Sequence, residues 1–554
     1  MGHYPTFLAI ALFAASPIQQ DGKYQALYLM QNDQVTESLQ RYRDFASQKG
    51  HDFGTLQEMC LTMLKRGAAS PDPHTFLMTL YGAGLSNSLH ALDMLEKGLV
   101  APDPNIQLLS LHFIARHEDD RALSLLNEAM SSDFLSTRME AAFYLSLKKH
   151  PRATGQIEGL MFRLPPAFKP YFPSFFALIG TSDATATLRR LLEDPDIQVR
   201  VESILQVARM GRDDFLPLLR KRLSHNQAAE LEASLFALGA LKDGHSHLKL
   251  KKLLSHSAET TRLAAARALN ELGDRSGLPI VLDLAHKHNP FAIQLLADFS
   301  ETQDELAQLV ESGDLQVRIN AATALLRHRD PRAKGALLEI LISDERDLAF
   351  YPMGSVGRSL SAWKALPSAE LRAKDPTIDL SFSLAIREHL FREALHLPEA
   401  DFCEIAEKVL FRPQNDLIPL AVASLESLQT PRAIALLEKG ATHQSSPFVR
   451  DYCRLGLYRL GCEGPYEEQI TQWVMRQKGA PLIQFRPLLP WKFRLEQSDY
   501  ALSPTETSRL LIDSFLAIAQ KRDQKSISFL LEAIQHGNPH NRFALMGLLM
   551  QATE

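Results

Sequence analysis

From residue 194 to residue 343 the apolar positions fall into a block that recurs. Asp196-Ile197-Gln198-Val199-Arg200 opens one copy, Asp314-Leu315-Gln316-Val317-Arg318 opens another, and Arg262 stands at the same place in a third. Three and four residues after each arginine come small or apolar side chains (Ser203 and Ile204, Ala265 and Ala266, Ala321 and Ala322), and seven after it an aliphatic one (Val207, Leu269, Leu325). That spacing is one face of a helix. A turn follows, such as Gly273-Asp274-Arg275, and then a second leucine-rich helical run, such as Leu216, Leu219 and Leu223. Each block predicts two antiparallel helices. A single pair leaves apolar faces open to water, so successive pairs must stack.

The period is 31 residues: Arg138, Arg200 and Arg262 are spaced by two units each, with Lys169 and Leu231 at the intermediate places. Pro71-Asp72-Pro73 and Pro102-Asp103-Pro104 are one period apart, and each sets a proline at a helix start. The array therefore runs over 71–343. Arg262 to Arg318 is only 56 residues, which predicts a unit shortened near 291–310, in its turn. Before the array, 21–70 reads as an N-terminal helical cap whose apolar positions are off the period. Residues 344–413 break the period and read as an irregular helical insertion with a loop-like stretch at Tyr351–Gly357; repeats resume over 414–477, where Val449-Arg450 fits the template. A proline and aromatic arm and a C-terminal helical cap fill 478–554.

The pattern D-x-x-V-R-x-x-A-A-x-A-L-x-x-x-G-D, carried from Asp314 and Asp196 and less closely from Glu259, resembles HEAT repeats of the short bacterial kind, found also in phycobilisome lyase subunits. The resemblance implies an all-α fold, a right-handed α-solenoid of antiparallel helix pairs with insertions in its C-terminal half. It also implies a role in holding other molecules. The shared residues are packing residues, so no catalytic role is carried over.

Composition narrows this a little. The chain has 554 residues, 45% hydrophobic and 23% charged, which suits a folded protein and argues against disorder. A net charge of −5 gives no overall pull toward nucleic acid, so any basic surface must be local. Cys60, Cys403, Cys453 and Cys462 include no C-x-x-C pair and read as buried thiols. Residues 1–20 contain the apolar run Phe7–Ala15, which reads either as a signal peptide or as an apolar first helix. Export and a cytoplasmic location therefore both stand.

The sharpest local chemistry is a pair of cation columns at the repeat period: Arg189, Arg220 and Lys251, and beside them Arg190, Lys221 and Lys252. All six lie on second helices. On a concave surface they would suit an acidic protein segment or a phosphate backbone; as helix-end residues they would simply oppose the helix dipole. Phe485–Arg494 interleaves rings and cations, with Trp491 and Phe493 as candidate anchors. No phosphate-loop, serine-hydrolase or zinc-protease motif occurs. The single His117-Glu118 pair falls short of the several that HEAT-like di-iron hydroxylases carry, and no cofactor or metal is expected. The expectation is a noncatalytic scaffold for a protein or peptide. A nucleic-acid-binding solenoid comes second, and an enzyme of the HEAT-like DNA glycosylase type a distant third.

Overall fold

Two of the repeat's first helices begin on an aspartate cap, while Ala228–Ala240 and Glu259–Glu271 begin without a side-chain cap. Asp196 accepts from the Gln198 N–H at the start of the Ile197–Arg209 helix, and Asp314 accepts from Gln316 at the start of Leu315–Arg327. The repeat arginine closes the same turn from the other side. Nη1 of Arg200 donates to the carbonyls of Asp194 and Pro195 (2.7 and 3.1 Å), that of Arg262 to His256 and Ser257 (3.0 and 3.2 Å), and that of Arg318 to Ser312 and Gly313 (2.9 and 3.2 Å). Those carbonyls lie past the end of the preceding helix and have no helical partner. The recurring arginine therefore splices one repeat to the next.

The computed structural model describes residues 22–224, 227–343, 348–374, 381–483 and 505–554. The expected apolar segment 1–20, Trp491 and Phe493 lie outside the described residues. Two compact units form: one from Met139–Thr471, the other from Met1–Arg138 together with Gln472–Glu554. The described residues are almost entirely helical, a solenoid of antiparallel pairs. None of the described helices is long and apolar enough to cross a membrane.

In the Met139–Thr471 unit the first helices of the pairs, Ile197–Arg209, Ala228–Ala240, Glu259–Glu271 and Leu315–Arg327, are 13 residues each. The first three pack on one another directly, and their small buried residues (Ala233, Ala264, Ala265, Ala268) allow the close approach. Between Glu259–Glu271 and Leu315–Arg327 stands the shortened unit. Its turn is not what was lost: the first helix itself, Pro290–Leu296, has only 7 residues. At 1.5 Å per residue that is about 9 Å less helix than its neighbours have. The Thr302 hydroxyl donates to the Leu296 and Phe299 carbonyls (2.7 and 3.0 Å) and closes the truncated end.

Residues 344–413, expected to be an irregular helical insertion with a loop-like stretch at Tyr351–Gly357, contain a two-stranded antiparallel hairpin, β1 (Leu348–Gly354) and β2 (Ser361–Pro367), with Leu348 opposite Pro367 and Gly354 opposite Ser361. Neither strand has a period-two pattern or β-branched residues in number. The extended state is set by the helices on which the hairpin lies rather than by local preference.

The second unit joins the two ends of the chain. The helix Arg542–Thr553 packs against both Phe53–Gly67 and Pro73–Ser86. Gln57 Nε2 donates to the Thr553 carbonyl (2.8 Å), Cys60 Sγ lies 3.6 Å from Met546 Sδ, and Arg43 donates to Gln535 Oε1 (2.7 Å). Burial pushes the Cys60 thiol far up, so it stays a protonated apolar filler. Cys403 and Cys453 are likewise buried and Cys462 half-buried; none of the four is in a disulfide.

Candidate binding face

The six expected ladder cations fall into two kinds. Arg189 donates to Asp214 (2.8 Å) and lies over the Phe215 ring, Arg220 forks onto Asp243 (2.9 and 2.6 Å), and Lys251 reaches Asp274 (3.4 Å). Each acid sits in the turn of the following repeat. Burial pushes the Asp243 carboxyl up, yet the Arg220 guanidinium and the Ser246 hydroxyl outweigh it and hold the group below the usual carboxylate range. Arg190, in the other column, pairs with Glu158. Lys221 and Lys252 are exposed and have no side-chain partner among the described residues. The sequence held the signal for this, since Asp243 and Asp274 are themselves one period apart. Four of the six cations stitch helix pairs together, so the surplus positive charge of the columns rests on two lysines.

The first-helix face is occupied by the hairpin. Asn320 donates from Nδ2 to the Trp363 carbonyl and accepts from the Trp363 N–H at Oδ1, both at 2.9 Å, so a single amide reads both polar groups of one backbone residue. Gln316 donates to the same carbonyl and accepts from the Ala365 N–H (3.2 Å). The outer edge of β2 is thereby held by side chains as a neighbouring strand would hold it. At the hairpin tip the Ser355 and Ser359 hydroxyls both donate to Glu232 Oε1, Arg358 pairs with Glu202, and Arg267 Nη1 donates to the Ser359 carbonyl (2.7 Å). Glu232 is fully buried, and its Oε2 has no hydrogen-bond partner among the described residues.

The short helix leaves a cleft of ≈ 400 Å³. Leu295 and Asp298 line it from the truncated unit, Arg267 and Arg327 from the longer helices on either side, Trp363 from β2, and His389 and Glu393 from the Ser381–Ala394 helix. Asp298 holds both guanidiniums, Arg267 at 3.2 Å and Arg327 across the gap. That triad carries one net positive charge beside apolar walls. Sequence reasoning missed Gln316, Asn320, Arg267 and Arg327 because they stand at nonconsensus places, where the template has no opinion.

Glu140 is a further group the sequence did not single out. It stands two periods before Glu202, on the Leu135–Leu147 helix, and burial pushes its carboxyl up to about 8 against a hydrogen bond from Tyr144. Between the ordinary carboxylate range and about 8, the folded chain keeps a proton that the unfolded chain has released. Stability therefore falls as pH rises through that window, at up to about 1.4 kcal/mol per pH unit. Thermal unfolding midpoints at pH 5, 6.5 and 8 are expected to fall in the parent chain and to fall less in Glu140→Gln; equal slopes would remove Glu140 as the source.

No protein-family model and no curated protein matches the sequence. Among solved structures, the chain is similar to the complex of CpcE and CpcF of phycocyanin lyase from Nostoc sp. PCC7120, at 16% identity over 44% of this chain and 92% of that one, with a TM-score of 0.26. It is similar also to Kap121p, at 12% identity over 95% of this chain and 58% of that one (TM-score 0.37), and to importin beta, at 11% over 94% and 80% (TM-score 0.29). Likeness at this level carries no functional conclusion. The fold rests on the chain's own repeat: splicing arginines and stacked antiparallel pairs make it an α-solenoid whose repeat resembles HEAT repeats.

Proposed function

We propose that this protein is a noncatalytic scaffold that holds an extended segment of a partner protein across the first-helix face of residues 139–471. The observation that carries the reading is the amide pair Gln316 and Asn320, which takes the hairpin by the polar groups of its backbone and so suits a chain presented in the extended state. The cleft beside it supplies a half-enclosed pocket for one anchoring side chain. A nucleic-acid reading would rest on the cation columns, and most of those cations are already paired with acids.

Site-specific photo-crosslinking tests this. A benzophenone side chain at position 327, half-exposed at the cleft, is expected to trap a protein, and the same group at position 252 is not. The trapped protein, once purified, is expected to bind the parent chain, to bind Lys221→Glu/Lys252→Glu as well, and to lose affinity for Arg327→Glu. Trapping only at 252, or loss of binding on reversal of the two lysines alone, would replace this reading with one based on the columns.

A further inference from the structure

We infer that the hairpin Leu348–Pro367 is the built-in occupant of a strand-binding groove, and that the partner segment is an extended strand whose aromatic residue takes the place of Trp363. This rests on the scaffold reading above and specifies its site. Three observations converge on it.

The hairpin is held as a ligand is held. Its outer edge is bonded by the Asn320 and Gln316 side chains, which would serve the backbone of another chain equally well. Trp363 stands at the centre of that grip and faces the cleft left by the truncated helix, where Leu295, Asp298 and His389 also line the wall. An aromatic side chain on an incoming strand would find the same wall.

The hairpin also has little structure of its own. Two strands without a third are marginal in water, so its conformation depends on the face it covers. Leu360 joins the core cluster around Leu263 and Leu296, and Ala349, Phe350 and Ala362 are buried as well, while the tip and the outer edge are held through polar groups. The tip, moreover, carries a built-in cost. It closes over Glu232 and leaves one carboxylate oxygen buried without a partner, while the Gly357 backbone is pressed onto the Ala228–Ala240 helix. A Cβ at 357 would stand 2.6 Å from both the Ala229 carbonyl oxygen and Glu232 Cβ. A contact held at a cost is one that a better-fitting strand can displace, and affinity for that strand is reduced by the fraction of time the groove is filled.

The test uses the full chain with residues 348–367 replaced by a glycine–serine linker, and a fluorescein-labelled synthetic peptide of sequence 348–367 followed by anisotropy. The linker chain is expected to bind the peptide at least about tenfold more tightly than the intact chain does. Asn320→Ala in the linker chain, and Trp363→Ala in the peptide, are each expected to weaken binding by about tenfold or more. A folded linker chain that ignores the peptide overturns the occupant inference and leaves the crosslinking test of the scaffold untouched. Equal binding to intact and linker chains also overturns it. If the linker chain does not fold, Gly357→Leu in the intact chain decides: hydrogen exchange at the amides of β1 and β2 is expected to speed up at least about tenfold while the repeat helices keep their protection. Loss of protection in hairpin and helices together would show the hairpin to be ordinary core and end the proposal.

Discussion

Glu230→Ala is expected to destabilise the Met139–Thr471 unit by about 3–5 kcal/mol, seen as a lowered urea midpoint for the transition carrying that unit. Glu230 and Arg222 are each 2% exposed and bonded at 2.9 Å between Arg222 Nε and Glu230 Oε1. Arg200 takes the other carboxylate oxygen at 3.2 Å. Arg222 also donates to the Leu192 and Leu218 carbonyls and to Glu193. Its guanidinium is therefore committed to the join between two repeats and cannot swing into water. Removing Glu230 leaves the buried guanidinium opposite a void with only the exposed Glu193 as counter-charge, and the desolvation cost, not the lost attraction, dominates the result. Replacing both partners with apolar residues, as Arg222→Met with Glu230→Leu, is expected to recover most of the loss. A single Glu230→Ala change costing under about 1 kcal/mol would mean that water reaches the site.

Gly547→Ala is expected to cost about 3 kcal/mol in the other unit, at the upper end for overpacking. The added methyl would point into the backbone of Gly82, meeting its carbonyl oxygen, its carbonyl carbon and its Cα. Backbone cannot rotate aside as a side chain can. The reciprocal change, Gly82→Ala, meets the backbone of Phe543 and is expected to cost a similar amount. Gly335→Ala is the control: Gly335 lies on the exposed face of the Lys334–Ile342 helix with open space around it, and alanine there is expected to stabilise by about 0.5–1 kcal/mol. Matched denaturation curves separate the two cases. Similar midpoints for Gly547→Ala and Gly335→Ala would show that the two terminal segments do not pack as described.

Glu230 and Gly547 differ in how far the sequence announced them. Glu230 lies inside the readable array, within a period of Arg200 and Arg222, and a search for acids near the periodic cations would have raised it. Gly547 lies hundreds of residues from Gly82, and neither glycine belongs to a motif. The cation columns illustrate the same divide. Their 31-residue spacing was legible, yet whether they faced a ligand or a neighbouring turn depended on side-chain reach between repeats, and Asp214, Asp243 and Asp274 took three of them.

The sequence by itself determined the helix pairs and their stacking, because a period of 31 residues and its apolar faces are local properties, repeated until they outweigh any one residue. A break in the period after residue 343 is likewise visible in the sequence. Only the tertiary structure decided that residues 348–367 become a hairpin, since Phe350 and Ala362 are buried when β1 and β2 lie on helices, and Trp363 takes its backbone partners from Gln316 and Asn320. Only the tertiary structure turned six missing residues into a cleft, because a gap exists only when the flanking helices keep their length. Extended conformation and empty space depend on what surrounds a segment, so neither can be read from the segment alone.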